Sequence, residues 1–216
     1  MSLNLSLPKR PRGRPASNGL PYANTREQLI RSGIELLTRQ GVSGITLDDI
    51  LKQAEVPKGS FYHYFASKDA LVAAALNGYA DYFIGKLEKH FSNPELAPLA
   101  RLAAFVDDAC RGVERYEFTR GCLVGNLGQE VGCLNETLHL RLEAILQDWE
   151  LALSVCLQAS CAAGELSAEA DCDALSHAFW VGWEGAILRA RLLRSTAPMR
   201  AFFKFFLQAL PRPKSS

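Results

Sequence analysis

The run Val56-Pro-Lys-Gly-Ser-Phe-Tyr-His-Tyr-Phe-Ala-Ser-Lys68 gathers residue types that suit contact with a polyanion. Lys58, Gly59 and Ser60 stand where a very short helix would open after Pro57. Gly59 and Ser60 would let that helix end come close to base edges, and Lys58 could reach guanine acceptors or phosphate. Phe61 and Phe65 share one helical face and belong to the core, whereas Tyr62 lies about 100° away. Tyr62 and His63 are then placed for a phosphate backbone. The competing interpretation makes Tyr62, His63 and Tyr64 a partly buried aromatic patch. Lys68 begins the next helix, where a cation beside free backbone N–H groups forms a phosphate clamp.

A second group of residues could handle a small molecule. Cys122 follows Arg120 and Gly121 at the start of a short helix. A helix N-terminus and a nearby cation favour the thiolate, the form that attacks electrophiles. The bland alternative is an inert packed thiol. Trp180 and Trp183 lie three apart, with Glu184 one turn from Trp180. They form either a pocket wall offering indole N–H groups to a carboxylate or carbonyl, or ordinary core and dimer packing. Asn126 and Gln129 could orient a polar ligand, and Arg120 could pair with its carboxylate. The other cysteines, Cys110, Cys133, Cys156, Cys161 and Cys172, are expected to be reduced and mostly buried. No CxxC pair or suitably spaced histidine completes a zinc site, so neither metal nor cofactor is expected.

The elements that must hold these residues are all helical. Asn24 or Thr25 would cap a first helix, with Glu27 and Gln28 completing a capping box and Gly41 ending it. Its inward stripe is Leu29, Ile30, Gly33, Ile34 and Leu37. Thr46 caps a second helix with Leu47, Ile50, Leu51 and Ala54 inward, and the very short third follows, carrying Ser60 to Tyr64. Ser67 caps a long fourth helix from Lys68 to about His90, and a fifth spans about Leu99–Tyr116. Gly121, Gly125, Gly128 and Gly132 leave room for one short helix. Two longer ones follow, about Asn135–Ala162 and Cys172–Leu193, then a last near Met199–Leu210. Nothing reads as a strand, so the fold class is all-α with about nine helices. Phe202, Phe203, Phe205 and Phe206, with the Gly182 and Gly185 face, point to an antiparallel four-helix dimer interface, against purely intramolecular burial.

Charge divides the chain. Residues 1–68 hold ten Lys/Arg and five Asp/Glu, whereas residues 69–216 hold fourteen and eighteen. A basic front and an acidic remainder suggest three parts: a flexible basic arm (1–23), a helix-turn-helix unit (24–68) and a ligand-binding and dimerisation domain (69–216). The longest apolar stretches, such as Ala70–Leu76, are too short to span a membrane. No secretory signal is evident, and a cytoplasmic protein is expected. There is no Gly-x-Ser-x-Gly elbow, His-Glu-x-x-His, P-loop or dinucleotide fingerprint, which argues against an enzyme. An architectural DNA binder would not need so long a helical body after the reading head.

From helix one through Gly41, Thr46, Ile50, Ala54 and the Val56–Lys68 run to Leu71, the sequence resembles the DNA-binding signature of the TetR family of repressors. The resemblance implies an α-helical homodimer that binds palindromic double-stranded DNA and releases it when a small-molecule effector enters the C-terminal domain. It places base contacts on Lys58, Gly59 and Ser60, and phosphate contacts on Thr46, Tyr62, His63 and Lys68. Further segments, Leu99–Leu102, Arg120–Glu130, Gly164–Ala168 and Phe179–Arg191, look like the acrylate- and electrophile-responsive members of that family. Cys122 matches the sensing cysteine of the latter, although Arg191 stands where they carry a lysine. The effector so implied is a small carboxylate or electrophile such as acrylate, or else a redox signal acting through Cys122. In the arm, Lys9-Arg-Pro-Arg-Gly-Arg-Pro15 resembles an AT-hook, in which Arg12 and Arg14 lie in a narrow minor groove around Gly13. A solvated tail that only raises nonspecific affinity is the alternative.

Overall fold

The computed structural model describes residues 22–130, 132 and 134–213, with side chains from residue 24 onward. Among the described residues there are nine helices and no strand. They are α1 (Tyr22–Gln40), α2 (Leu47–Gln53), α3 (Lys58–Phe61), α4 (Lys68–Phe91) and α5 (Pro98–Arg115). Then come α6 (Leu123–Gln129), α7 (Glu136–Ala162), α8 (Cys172–Leu193) and α9 (Ala197–Ala209). The all-α expectation holds, but two local details do not. Helix α1 begins at Tyr22, so Asn24 and Thr25 lie inside it rather than capping it. Helix α3 is a single turn of four residues, and Tyr62, His63 and Tyr64 form the turn that follows.

Helices α1 to α3 pack as a small head. Leu29, Leu37, Ile50, Ala54, Phe61 and Phe65 are buried together, the two phenylalanine rings 5.8 Å apart. The capping box is real at α2. The Thr46 hydroxyl accepts from Asp49 N–H (3.2 Å), and the Asp49 carboxylate accepts from Thr46 N–H (2.8 Å). Gly41 leaves α1 in the left-handed region at φ 73°, which only glycine adopts without strain.

Helix α4 belongs to both halves. Leu71, Val72, Ala75 and Leu76 are buried on its first turns, where it packs against α1, and Leu87 and Phe91 are buried in the body. The body's core is an aromatic cluster of Phe83, Phe105, Trp149, Phe179, Trp180 and Trp183. The Phe83 and Trp149 rings lie 4.2 Å apart and those of Trp149 and Trp180 5.2 Å. Among the described residues no helix is long and apolar enough to cross a membrane.

Candidate functional site

The head presents its suspected DNA contacts on the outside. Lys58, Gly59, Tyr62 and His63 are exposed and Ser60 is half-buried. Lys58 Nζ lies 3.0 Å from Asp48 Oδ1, which brings the first turns of α2 and α3 side by side. That hydrogen bond to the carboxylate, then its charge, raises the Lys58 pKa. A Cβ built on Gly59 would meet nothing within 4 Å, so no neighbour inside the chain requires glycine there. The bare backbone faces outward.

Two of the expected phosphate contacts have internal work. The Thr46 hydroxyl is engaged with Asp49 in the α2 cap. Lys68 Nζ donates to the Val42 and Ile45 carbonyls (2.8 and 2.5 Å), fixing the turn before α2 rather than standing free as a clamp. An ammonium has three donors, so one N–H remains after these two bonds. Arg12 and Arg14 lie outside the described residues.

A cavity of about 360 Å³ opens in the body. It is walled by Ile34 and Thr38 of α1, Tyr79, Tyr82, Phe83 and Lys86 of α4, and Phe105 and Asp108 of α5. The α5–α6 loop adds Tyr116, Arg120 and Cys122, and α8 adds Trp183, Glu184 and Ile187. Glu117 and Phe118, both left-handed at φ 51° and 58°, turn that loop back toward α1. Gly121 N–H then donates to Thr38 C=O at 2.9 Å.

Arg120 lies across the mouth between two partners. One guanidinium nitrogen is 2.6 Å from Glu35 of α1, and the group stacks over the Tyr116 ring at 4.1 Å. Its Nε is sealed from solvent and has no hydrogen-bond partner. Glu184 shows the same defect. The residue is half-buried, yet Oε1 is sealed from solvent and unpartnered. Burial raises the Glu184 pKa to about 7, opposed by a hydrogen bond from the Cys122 thiol. Orphaned polar atoms are rare in folded interiors, and both of these belong to residues that line the cavity. Elsewhere on the wall, burial works against the Asp108 carboxylate, but Lys86 (2.8 Å) and His90 (3.4 Å) outweigh it and hold its pKa at about 2.

The thiol differs from the expectation. Cys122 does cap α6, its sulfur accepting from Gly125 N–H at 3.5 Å. Burial, then the charge of Glu184, raises its pKa well above the usual thiol value, and the cation that should lower it is paired with Glu35. Tyr79, half-buried beside Cys122 and Glu184, is raised for the same reasons. Cys122 is therefore held as a thiol, not a thiolate.

Other expected ligand contacts move into structural roles. Asn126 Nδ2 donates to the Leu37 and Thr38 carbonyls (3.2 and 2.9 Å), and its Oδ1 accepts from Arg191 (3.2 Å). Gln129 is exposed and does not line the cavity. Trp180 is core, its indole N–H donating to Trp149 C=O at 3.0 Å, while Trp183 is buried and lines the cavity. Sequence reasoning missed Tyr79, Tyr82 and Lys86, although their spacing along α4 puts polar tips on neighbouring turns. It also named Glu184 without giving it a role.

The last helix also divides. Phe202 and Phe206 pack on Phe179 with centroids 5.7 and 5.1 Å away, and any side chain at Gly182 would collide with Phe202. These are intramolecular contacts, which corrects their assignment to a dimer face. Phe205 and Gly185 are exposed, as are Val181, Leu188 and Leu192.

Among the described residues no cluster of His, Cys, Asp and Glu could hold a metal ion. Residues 29–75 match the family model for bacterial regulatory proteins of the tetR family, and residues 98–206 match that for the tetracyclin repressor-like C-terminal domain. The transcriptional regulator AcuR of Cereibacter sphaeroides is 47% identical over 203 residues, 93% of this chain and 92% of that protein. The repressor NemR of Escherichia coli is 30% identical over 176 residues, 82% of this chain and 88% of that one. A crystal structure of a regulatory protein TetR from Rhodobacter sphaeroides has a TM-score of 0.84 at 46% identity, covering 86% of this chain and 98% of that chain. Reduced Escherichia coli NemR has a TM-score of 0.78 at 27% identity, covering 89% and 100%. With an outward-facing helix-turn-helix head, a helical body and matches across both, this chain belongs to the TetR family of transcriptional regulators, which are not enzymes.

Proposed function

We propose that this regulator is a cytoplasmic, dimeric repressor released from a palindromic operator by a small carboxylate such as acrylate. The observation that carries this reading is the pair of unpartnered atoms, Arg120 Nε and Glu184 Oε1, on one cavity wall. A carboxylate accepts from Arg120 Nε, and a protonated Glu184 donates to a second oxygen. Arg120 also holds Glu35 of α1, so a ligand that draws the guanidinium inward weakens the tie to the head. Release then follows from the effector's higher affinity for the form that does not fit DNA.

In this reading residues 24–68 are the reading head and 69–216 the sensing and dimerising body. Lys58, Gly59 and Ser60 face bases; Thr46, Tyr62, His63 and the remaining N–H of Lys68 face phosphates; Arg12 and Arg14 follow the minor groove. A second reading has Cys122 add to the electrophilic alkene, and the observation favouring it is that its thiol lines the cavity and donates to Glu184. Fluorescence anisotropy on the promoter next to its own gene, with and without acrylate, tests both. Wild type should release DNA with acrylate, and Cys122→Ser at an unchanged concentration. Loss of response in Cys122→Ser transfers the mechanism to the thiol, and no response in either protein refutes the effector class.

A further inference from the structure

We propose that Cys161 and Cys172 form a dithiol site that hydroperoxides oxidise to an intramolecular disulfide, bolting the end of α7 to the start of α8. The two sulfurs are 3.6 Å apart, in van der Waals contact. Each sits on a helix terminus: Cys161 is the penultimate residue of α7 and Cys172 the first of α8. The connecting loop is anchored, not loose. Ser167 N–H donates to Pro211 C=O (2.9 Å), Arg212 donates to Glu165 C=O (3.1 Å), and Asp171 caps α8 by accepting from Ala174 N–H (2.9 Å). Bonding distance is about 2.05 Å, so side-chain rotation with a small helix adjustment closes the gap.

The two thiols differ in access. Cys161 is half-buried, whereas Cys172 is buried. Burial and its hydrogen bond to Cys161 keep the Cys172 thiol protonated, with a pKa of about 11. The order of events follows. The Cys161 thiolate attacks one peroxide oxygen, the O–O bond breaks, and Cys161 sulfenic acid and hydroxide result. Cys172 then attacks the sulfenic sulfur and displaces hydroxide, which leaves as water with the thiol proton. For hydrogen peroxide, two thiols lose two electrons and two protons, and the peroxide is reduced to two waters. The site is separate from the effector cavity, which neither cysteine lines. Its bond would tie to α7 the helix that carries Trp183 and Glu184.

The test is hydrogen peroxide treatment of the full-length protein, alkylation of remaining thiols and non-reducing peptide mapping. A Cys161–Cys172 cross-link that dithiothreitol removes is expected, with an unfolding temperature several degrees above that of the reduced protein. Cys161→Ser should abolish both effects, whereas Cys122→Ser should retain both. Recovery of Cys161 as alkylated thiol or sulfinic acid without the cross-link overturns the proposal, as does pairing with another cysteine. The wild-type peptide map decides the matter even where a variant folds poorly.

Discussion

Arg120 Nε has no partner inside the protein, and only the guanidinium of arginine offers a donor at that point of the side chain. Arg120→Lys keeps the charge but removes that donor. A lost charge-assisted bond of about 1.5–3 kcal/mol predicts a roughly 10- to 100-fold higher effector concentration for half-release. Operator affinity without effector should change little, and anisotropy titration reads both. Glu184 makes a separate prediction about stability. Its folded pKa of about 7 exceeds its ordinary value of 4.5, so the folded state holds a proton that the unfolded chain has lost between those pH values. Stability from this group is complete below pH 4.5, falls as pH rises and is gone above about pH 7. The span is on the order of 3 kcal/mol. Glu184→Gln should flatten that slope and melt higher than wild type at pH 8, as scanning calorimetry would show. At this scale the sequence located Cys122 at a helix start, yet its ionisation depends on Glu184 and Tyr79 from two distant helices.

The α5–α6 loop and α6 connect the cavity to the head through a few bonds. Asn126 adds a second donor to the Leu37 and Thr38 carbonyls near the end of α1, which also accept from Gly41 N–H (3.0 Å) and Gly121 N–H (2.9 Å). Arg191 of α8 bonds Asn126 (3.2 Å) and Arg39 C=O (3.1 Å), and Glu130 accepts from Val42 and Ser43 N–H (2.9 and 2.7 Å). Asn126→Leu retains bulk but removes the donor from this junction. It should cost about 1–3 kcal/mol in stability and blunt effector-driven release, compared by thermal melting and DNA-release titration. Most helix limits and the Thr46 and Ser67 caps were legible because they rest on neighbours in the chain. The true job of Asn126 was not, since its partners lie 88 and 89 positions away.

At the scale of the whole molecule, the proposed dimer needs an exposed apolar face, and α8 offers one. Val181 (64% exposed), Leu188 (40%) and Leu192 (67%) repeat along one face of α8, and Phe205 (68%) is exposed on α9. Their spacing forms one stripe with Gly185, which offers a partner helix close approach. Two recognition helices must meet half-sites about 34–36 Å apart, so the pairing sets DNA specificity. Leu192→Asp combined with Phe205→Asp should leave a folded monomer by analytical ultracentrifugation. That monomer should lose its preference for an inverted repeat and retain only weak, salt-sensitive binding.

Local order determined the helical class, the caps and the outward reading turn, because a capping hydroxyl, a left-handed glycine or a Phe61–Phe65 face needs only residues within a few positions. Tertiary packing alone decided which polar groups stay charged and which end up without partners. Cys122, Glu184 and Tyr79 come from three separate elements, and their protonation answers to a shared low-dielectric wall that no single segment contains.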